Sequence, residues 1–237
     1  MEKKMAENVC AVVASIQVGM PRSYGFEGAV ETHDRPWTTG FFKEGVAGPV
    51  FVGRNNIAGD GQADLTVHGG PDKAVMVYSA NHYAAWRAEL GMADLPHGGF
   101  GENLTIDGQT EETVCIGDIY AIGAARFEVS QPRGPCWKLA RRWRRNDLIG
   151  RVIANGRTGW YLRVLEEGAI EAGNAVMLLE RPSPEWSIAR AHAIQYFHRE
   201  DARLTAALAA VPALAEAWKD ELKDRLERMG GDKTEST

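Results

Sequence analysis

The chain of 237 residues is 44% hydrophobic and 25% charged, ordinary proportions for a packed protein, and these exclude wholesale disorder. A formal net charge of −5 excludes a general attraction to phosphate backbones, so no stable nucleic-acid partner is expected and any anion site must be local. No apolar run approaches the roughly 20 residues that span a bilayer, and Met1 to Cys10 lacks a secretory apolar stretch; the expectation is a cytoplasmic chain with no membrane partner.

From Ala11 to Glu180, short β-prone runs alternate with Gly, Asp and Pro punctuation. They fall at residues 11–18, 74–78, 103–106, 126–130 and 175–179, a spacing that predicts a barrel or sandwich, mainly β with some α. Short helical patterns interrupt them, the clearest from Ser79, a good N-cap, through His82, Tyr83, Trp86 and Leu90 to Gly91, which stops the helix. After Arg181-Pro182-Ser183-Pro184 the composition turns to Ala, Leu, Arg and Glu with helical periodicity, seen in Ile188, Ala191, His192 and Gln195 and in Leu222, Leu226 and Met229. The expected organisation is a β body over 9–181, three short helices over 185–229 with breaks near Glu200 and Pro212, and a flexible tail over 230–237. Lys219, Asp220, Lys223, Asp224 and Arg225 read as a solvated helix face.

Three cysteines, Cys10, Cys115 and Cys136, form no close pairs, which argues against a disulfide scaffold and a zinc ribbon. The six histidines form no HExxH helix motif. Three segments carry possible chemistry. Val67-His68-Gly69-Gly70-Pro71-Asp72-Lys73-Ala74 precedes an apolar strand; its glycines permit close backbone approach to a ligand, though a plain turn has the same composition. A His-Gly-Gly run also occurs in esterase oxyanion loops, but the chain has no GxSxG elbow. Gly98-Gly99-Phe100-Gly101-Glu102-Asn103 lacks the third glycine of a dinucleotide fingerprint and leads into a strand, so it reads as a tight turn tied down by Glu102 and Asn103.

Ser130-Gln131-Pro132-Arg133-Gly134-Pro135-Cys136-Trp137-Lys138-Leu139 is the best candidate site. Here a strand ends in a Pro-flanked turn and Cys136 opens a helix, with Arg133 and Lys138 near enough to favour a thiolate that ligates metal or attacks electrophiles. A small buried hydrophobe is the competing reading of Cys136, and it suits Cys10 and Cys115 better. Lys138, Arg141, Arg142, Arg144 and Arg145 form a basic run that reads either as a phosphate site or as a solvated helix face.

In this order, VHGGPDKAV, FGENLTIDG, IGDIY and SQPRGPCWKL resemble the MOSC family, closest to its bacterial hydroxylaminopurine-resistance branch with a C-terminal three-helix domain. The resemblance implies a MOSC-type β-barrel that holds a molybdenum-pterin cofactor (molybdopterin with Mo), with Cys136 as metal ligand. It also implies cleft roles for His68, Gly69, Gly70, Asp72, Lys73, Asn103, Arg133 and Lys138. The implied reaction is reduction of N-hydroxylated compounds, such as hydroxylaminopurine bases, by oxygen-atom transfer. Proton delivery requires a carboxyl or imidazole within reach, and Asp72 or His68 is the expected donor. The chain has neither a cluster-type cysteine set nor a flavin fingerprint, so a separate electron-donating reductase is the expected partner. Two rival readings use the same residues: a persulfide carrier built on Cys136, and a non-catalytic cofactor-binding module. The stretch from Gly40 to Asp64 carries no transferable motif and is expected to shape substrate access. The helical tail is open to three readings: a cap, a homodimer contact or a docking surface.

Overall fold

The computed structural model describes residues 9–231. In chain order the first half contains β1 (Val9–Val18), β2 (Arg22–Tyr24), β3 (Trp37–Thr39), β4 (Glu44–Gly45), β5 (Val50–Gly53), β6 (Asn56–Ile57), α1 (Leu65–His68), β7 (Val75–Ser79), α2 (Tyr83–Leu90) and β8 (Leu104–Asp107). The second half contains β9 (Ile119–Ile122), β10 (Ala125–Pro132), α3 (Trp137–Trp143), α4 (Leu148–Asn155), β11 (Trp160–Glu166), β12 (Gly168–Ile170), β13 (Ala175–Glu180), α5 (Ile188–Tyr196), α6 (Ala202–Ala209) and α7 (Glu216–Gly231).

Seven strands close into a barrel in the order β13, β9, β10, β11, β7, β8, β1, with β1 returning to β13 through the Val12–Ala175 register. Closure removes the exposed edges that an open sheet would present. β7 and β8 pair in parallel, because α2 and the loop after it carry the chain back between them. Along β11 the period-two pattern buries Trp160, Leu162 and Val164 inside while Tyr161 and Arg163 stand half-buried on the other face. The five predicted runs match β1, β7, β8, β10 and β13, whereas β9 and β11 were not among them, although the alternation in β11 was there to be read.

The barrel core continues without a break into the C-terminal helices: Val129 and Trp160 belong to the same buried cluster as Ile188, Ile194, Leu208, Leu214 and Leu222. Three helices form as expected, separated at 197–201 and 210–215. The predicted face Ile188, Ala191, His192 and Gln195 is buried. Two expectations are corrected. Arg225 is not on a solvated face; it is 4% exposed and donates to Gln195 Oε1, because α7 crosses the carbonyl end of α5. The tail was placed from Gly230, but α7 extends through Gly231; the rest of the predicted tail, from 232, lies outside the described residues.

A second core sits outside the barrel, where Tyr78, Trp86, Phe100, Leu139 and Leu148 pack under α2, α3 and α4. Tyr78 and Phe100 stack at 4.3 Å, and Trp86 Nε1 donates to the Tyr78 hydroxyl at 2.7 Å. Ser79 caps the turn that leads to α2, and Gly91 ends α2 with φ 65°, as the sequence predicted. This core fixes the Phe100 turn and the start of α3, and both border the site.

Candidate functional site

A cleft of about 630 Å3, counting space open to solvent, lies where β10 runs out and β7 begins. One wall comes from the barrel and its loops: His68, Lys73, Asn103, Arg133, Cys136 and Lys138. The other comes mostly from the region without a motif, through Phe41, Lys43 and Gln62, with Thr39 just before it, so the Gly40–Asp64 stretch forms part of the cleft wall.

Local chain geometry aims the barrel wall. Arg133 N donates to Gly159 O at 3.0 Å, anchoring the turn after β10. Gly159 has φ 74°, and a Cβ there would stand 2.3 Å from Val77 O, so only glycine lets this anchor approach β7 so closely. Pro135 precedes Cys136, which takes the extended N-cap position of α3 (φ −117°, ψ 149°) and leaves its side chain free of any capping bond. The thiol is half-buried at the cleft. Helix α3 then turns Lys138 inward and leaves Trp137 51% exposed.

The cleft is electrostatically incomplete. Arg133 is 4% exposed; its Nη2 donates to Phe100 O at 3.2 Å, but Nη1 is buried with no partner. Lys138 is 8% exposed and makes no hydrogen bond or ion pair among the described residues. His68 Nδ1 is also buried and unpartnered. Burial, followed by the charges of Lys138 and Lys73, pushes the His68 imidazole down to about 4. Lys73 is lowered as well, by burial, with Asp72 opposing. Among the described residues no carboxylate lines the cleft. A buried cation without a counter-charge is costly, so this arrangement calls for an anion from outside the chain.

Five of the eight predicted cofactor-binding residues line this cleft, His68, Lys73, Asn103, Arg133 and Lys138; Gly69 and Gly70 do not line it and form the bend that follows His68, where Gly70 has φ 96°. Asn103 faces the cleft but holds the wall together, since Oδ1 accepts from Met76 N at 3.1 Å and Nδ2 donates to Gln17 O at 3.3 Å. Asp72 is a correction. Its carboxylate turns away from the cleft to Arg163 (2.7 Å) and to the Glu216 amide (3.3 Å), so it is not positioned as a proton donor. His68 does line the cleft, and its imidazole, held at about 4, is uncharged near neutral pH in the free chain.

The Gly98–Asn103 turn is what its composition suggested. Buried Glu102 accepts from Gly98 N (2.6 Å), Phe100 N (3.0 Å) and the Tyr83 hydroxyl, holding the backbone that forms the cleft wall. The basic run divides: Lys138 lines the cleft, as the anion-site reading has it, while three of its arginines bind neighbouring chain. Arg141 donates to His33 O at 3.2 Å, Arg142 to Phe41 O at 3.0 Å and Gly98 O at 2.7 Å, and Arg144 pairs with Asp34 at 2.5 Å. These arginines clasp residues 33–41 against α3; Lys138 alone of the run reaches the cleft. Lys43, paired with buried Asp60, was missed by the sequence reading, since no local pattern joins the two.

Among the described residues no group of three His, Cys, Asp or Glu side chains could hold a metal ion, so a metal here would have Cys136 as its protein ligand and take the rest from a cofactor. No helix among the described residues is long and apolar enough to cross a membrane.

A barrel that presents a single cysteine beside unpaired buried cations defines a class, and comparison identifies it. Residues 64–177 match the MOSC domain and residues 186–228 the YiiM-like, 3-alpha helix domain; the chain belongs to the MOSC family. It is 39% identical to Bacillus subtilis YflK over 217 residues, covering 92% of this chain and 95% of that protein. It is 38% identical over 194 residues to a Gibberella moniliformis protein named reductase, covering 80% of this chain but 34% of that much longer relative. The crystal structure of YiiM from Geobacillus stearothermophilus superposes with a TM-score of 0.76 at 37% identity, covering 91% of this chain and 99% of that one.

The residues present fit the cofactor that MOSC domains are associated with. Its anionic phosphate matches the orphaned Arg133 Nη1 and the unpaired Lys138, and a soft thiolate suits molybdenum.

Proposed function

We propose that this chain is a molybdenum-cofactor-dependent reductase of N-hydroxylated compounds, including hydroxylaminopurine-type bases. The observation that carries the reading is the conjunction, in one cleft, of the Cys136 thiol with buried cations that lack a counter-charge. Arg133 and Lys138 would hold the cofactor's anionic end, Lys73 would add a third positive charge, and Cys136 Sγ would ligate the metal. Bound there, the cofactor supplies two-electron oxygen-atom-transfer chemistry.

The net reaction takes R–NHOH, two electrons and two protons to R–NH2 and water. A separate reductase supplies the electrons. The chain's own contribution is binding, orientation and one proton. An anion seated beside Lys73 and Lys138 reverses the local field and raises the His68 imidazole toward its ordinary range, so Nδ1 takes up a proton that it can return as the N–O bond breaks. Phe100, stacked into the outer core, and Phe41 wall the cleft and limit water.

The test is turnover of a hydroxylaminopurine base and of a simple hydroxylamine by cofactor-loaded protein with a chemical two-electron donor. Amine product that disappears in Cys136→Ser supports the reading. Loaded protein that turns over neither compound contradicts it.

A further inference from the structure

Asp72 is the one predicted site residue that the fold turns away from the cleft, and its partners are far along the chain. Oδ1 takes the Arg163 guanidinium at 2.7 Å, and Oδ2 accepts from Glu216 N, the first amide of α7, 144 residues later. The first turn of a helix has amides with no acceptor of their own. Here the barrel provides acceptors for two in succession, because Ala215 N donates to Ser130 O at 3.0 Å. Ser130 Oγ in turn donates to Asp72 O at 2.6 Å, and Arg163 also binds Glu128 and reaches Ala213 O at 3.5 Å. Both the backbone and the side chain of Asp72 are therefore tied to the segment that starts the last helix. Its chain neighbour, Lys73, lines the cleft, and Lys73 N bonds back to Gly70 O at 3.1 Å within the same turn.

We propose that Asp72 and Arg163 are positioning residues through which the C-terminal helical domain braces the His68–Lys73 loop, so that the last helix sets the geometry of the anion-binding wall. The proposal rests on reading the cleft as an anion site. The helical domain is then part of the binding machinery, although none of its residues lines the cleft. Leu214, buried in the same apolar cluster as Val129 and Trp160 of the barrel, holds the start of the last helix against it.

The test uses the full chain, with inorganic pyrophosphate as the probe and amide hydrogen exchange as an independent measure. Asp72→Ala and Arg163→Met remove the brace from the barrel side. Glu216→Pro removes it from the helix side, because proline is favoured at a first helical position; it deletes the donor amide and, with it, only the exposed Glu216–Lys219 ion pair. The expected result is about a 10-fold weaker pyrophosphate affinity in Asp72→Ala and Arg163→Met, the size of effect that loss of a supporting shell produces. Exchange of residues 69–74 should accelerate in all three variants while β9 and β10 stay protected. Asp72→Asn keeps the acceptor for Glu216 N and should recover part of the affinity. A brace of purely structural value would lower the melting temperature and speed exchange throughout the barrel, with affinity unchanged in folded protein at low temperature, and that result overturns the proposal. If wild type itself fails to bind pyrophosphate, the anion reading of the cleft is what fails; exchange of residues 69–74 then decides the brace alone, supporting it if accelerated locally and overturning it if not.

Discussion

Two buried charged clusters in this barrel look alike by composition and differ in completeness. Beside β9, Asp118 accepts from Cys115 N (2.9 Å), from the Tyr120 hydroxyl (2.7 Å) and from two nitrogens of Arg181 (2.8 and 2.7 Å), so its oxygens are fully engaged. In the cleft, Arg133 keeps one nitrogen without a partner, His68 keeps another, and Lys138 faces no carboxylate. The first cluster is closed and belongs to the fold. The second is open: buried cationic groups share a cleft that no carboxylate lines among the described residues, an arrangement that an external anion would complete.

The comparison breaks most readily at the closed cluster. Asp118→Ala strands a half-buried guanidinium, a buried hydroxyl and an amide, and should cost about 3 kcal/mol of stability with anion affinity unchanged, measured by denaturant unfolding and pyrophosphate titration. An unchanged stability would mean that the two clusters do not differ in kind. The open cluster should respond in the opposite sense. Arg133→Met removes a buried cation that nothing pairs, so the ligand-free chain should gain about 1 kcal/mol while anion affinity falls about 30-fold. A loss of stability in that variant would show that Arg133 is satisfied in the free protein after all.

The smallest expected effect is in the pH dependence. His68 titrates at about 4 in the folded chain against 6.5 for an unperturbed imidazole, through burial first and Lys138 and Lys73 next. Between these values the unfolded chain binds the extra proton. The stability contributed by the neutral imidazole is therefore full above about pH 6.5 and is lost as pH falls toward the folded value. His68→Gln should flatten this acid limb and leave stability at pH 8 nearly unchanged, as followed by unfolding at several pH values. A limb as steep as that of wild type would assign it to other groups.

The site was legible where its signal is local. PRGPC places Arg133, Cys136 and Lys138 within six residues of one another, and the Pro-flanked turn dictates that they meet. The three-helix segment was legible through its periodicity and its proline break. Side-chain direction was not. Asp72 sits in the right loop, but its orientation is decided by Arg163, 91 residues away, and by a helix start 144 residues away, and no spacing rule reports contacts of that range. The same limit hid the Lys43–Asp60 pair and the backbone contacts of Arg141 and Arg142, whereas Arg144 is exposed, as a solvated helix face would have it. Arg225 was misread for a related reason: its neighbours in sequence are exposed, and only the crossing of α5 and α7 buries it.

The most direct test of the central claim is the molybdenum and pterin content per chain, measured in wild type and Cys136→Ser after expression in a host that makes the cofactor. The account predicts near-stoichiometric metal and pterin in wild type, with metal lost or its spectrum altered in the variant. Wild type that carries neither, beside a loaded control protein from the same host, would contradict it, and a stable added sulfur on Cys136 in that sample would mark the chain as a persulfide carrier instead.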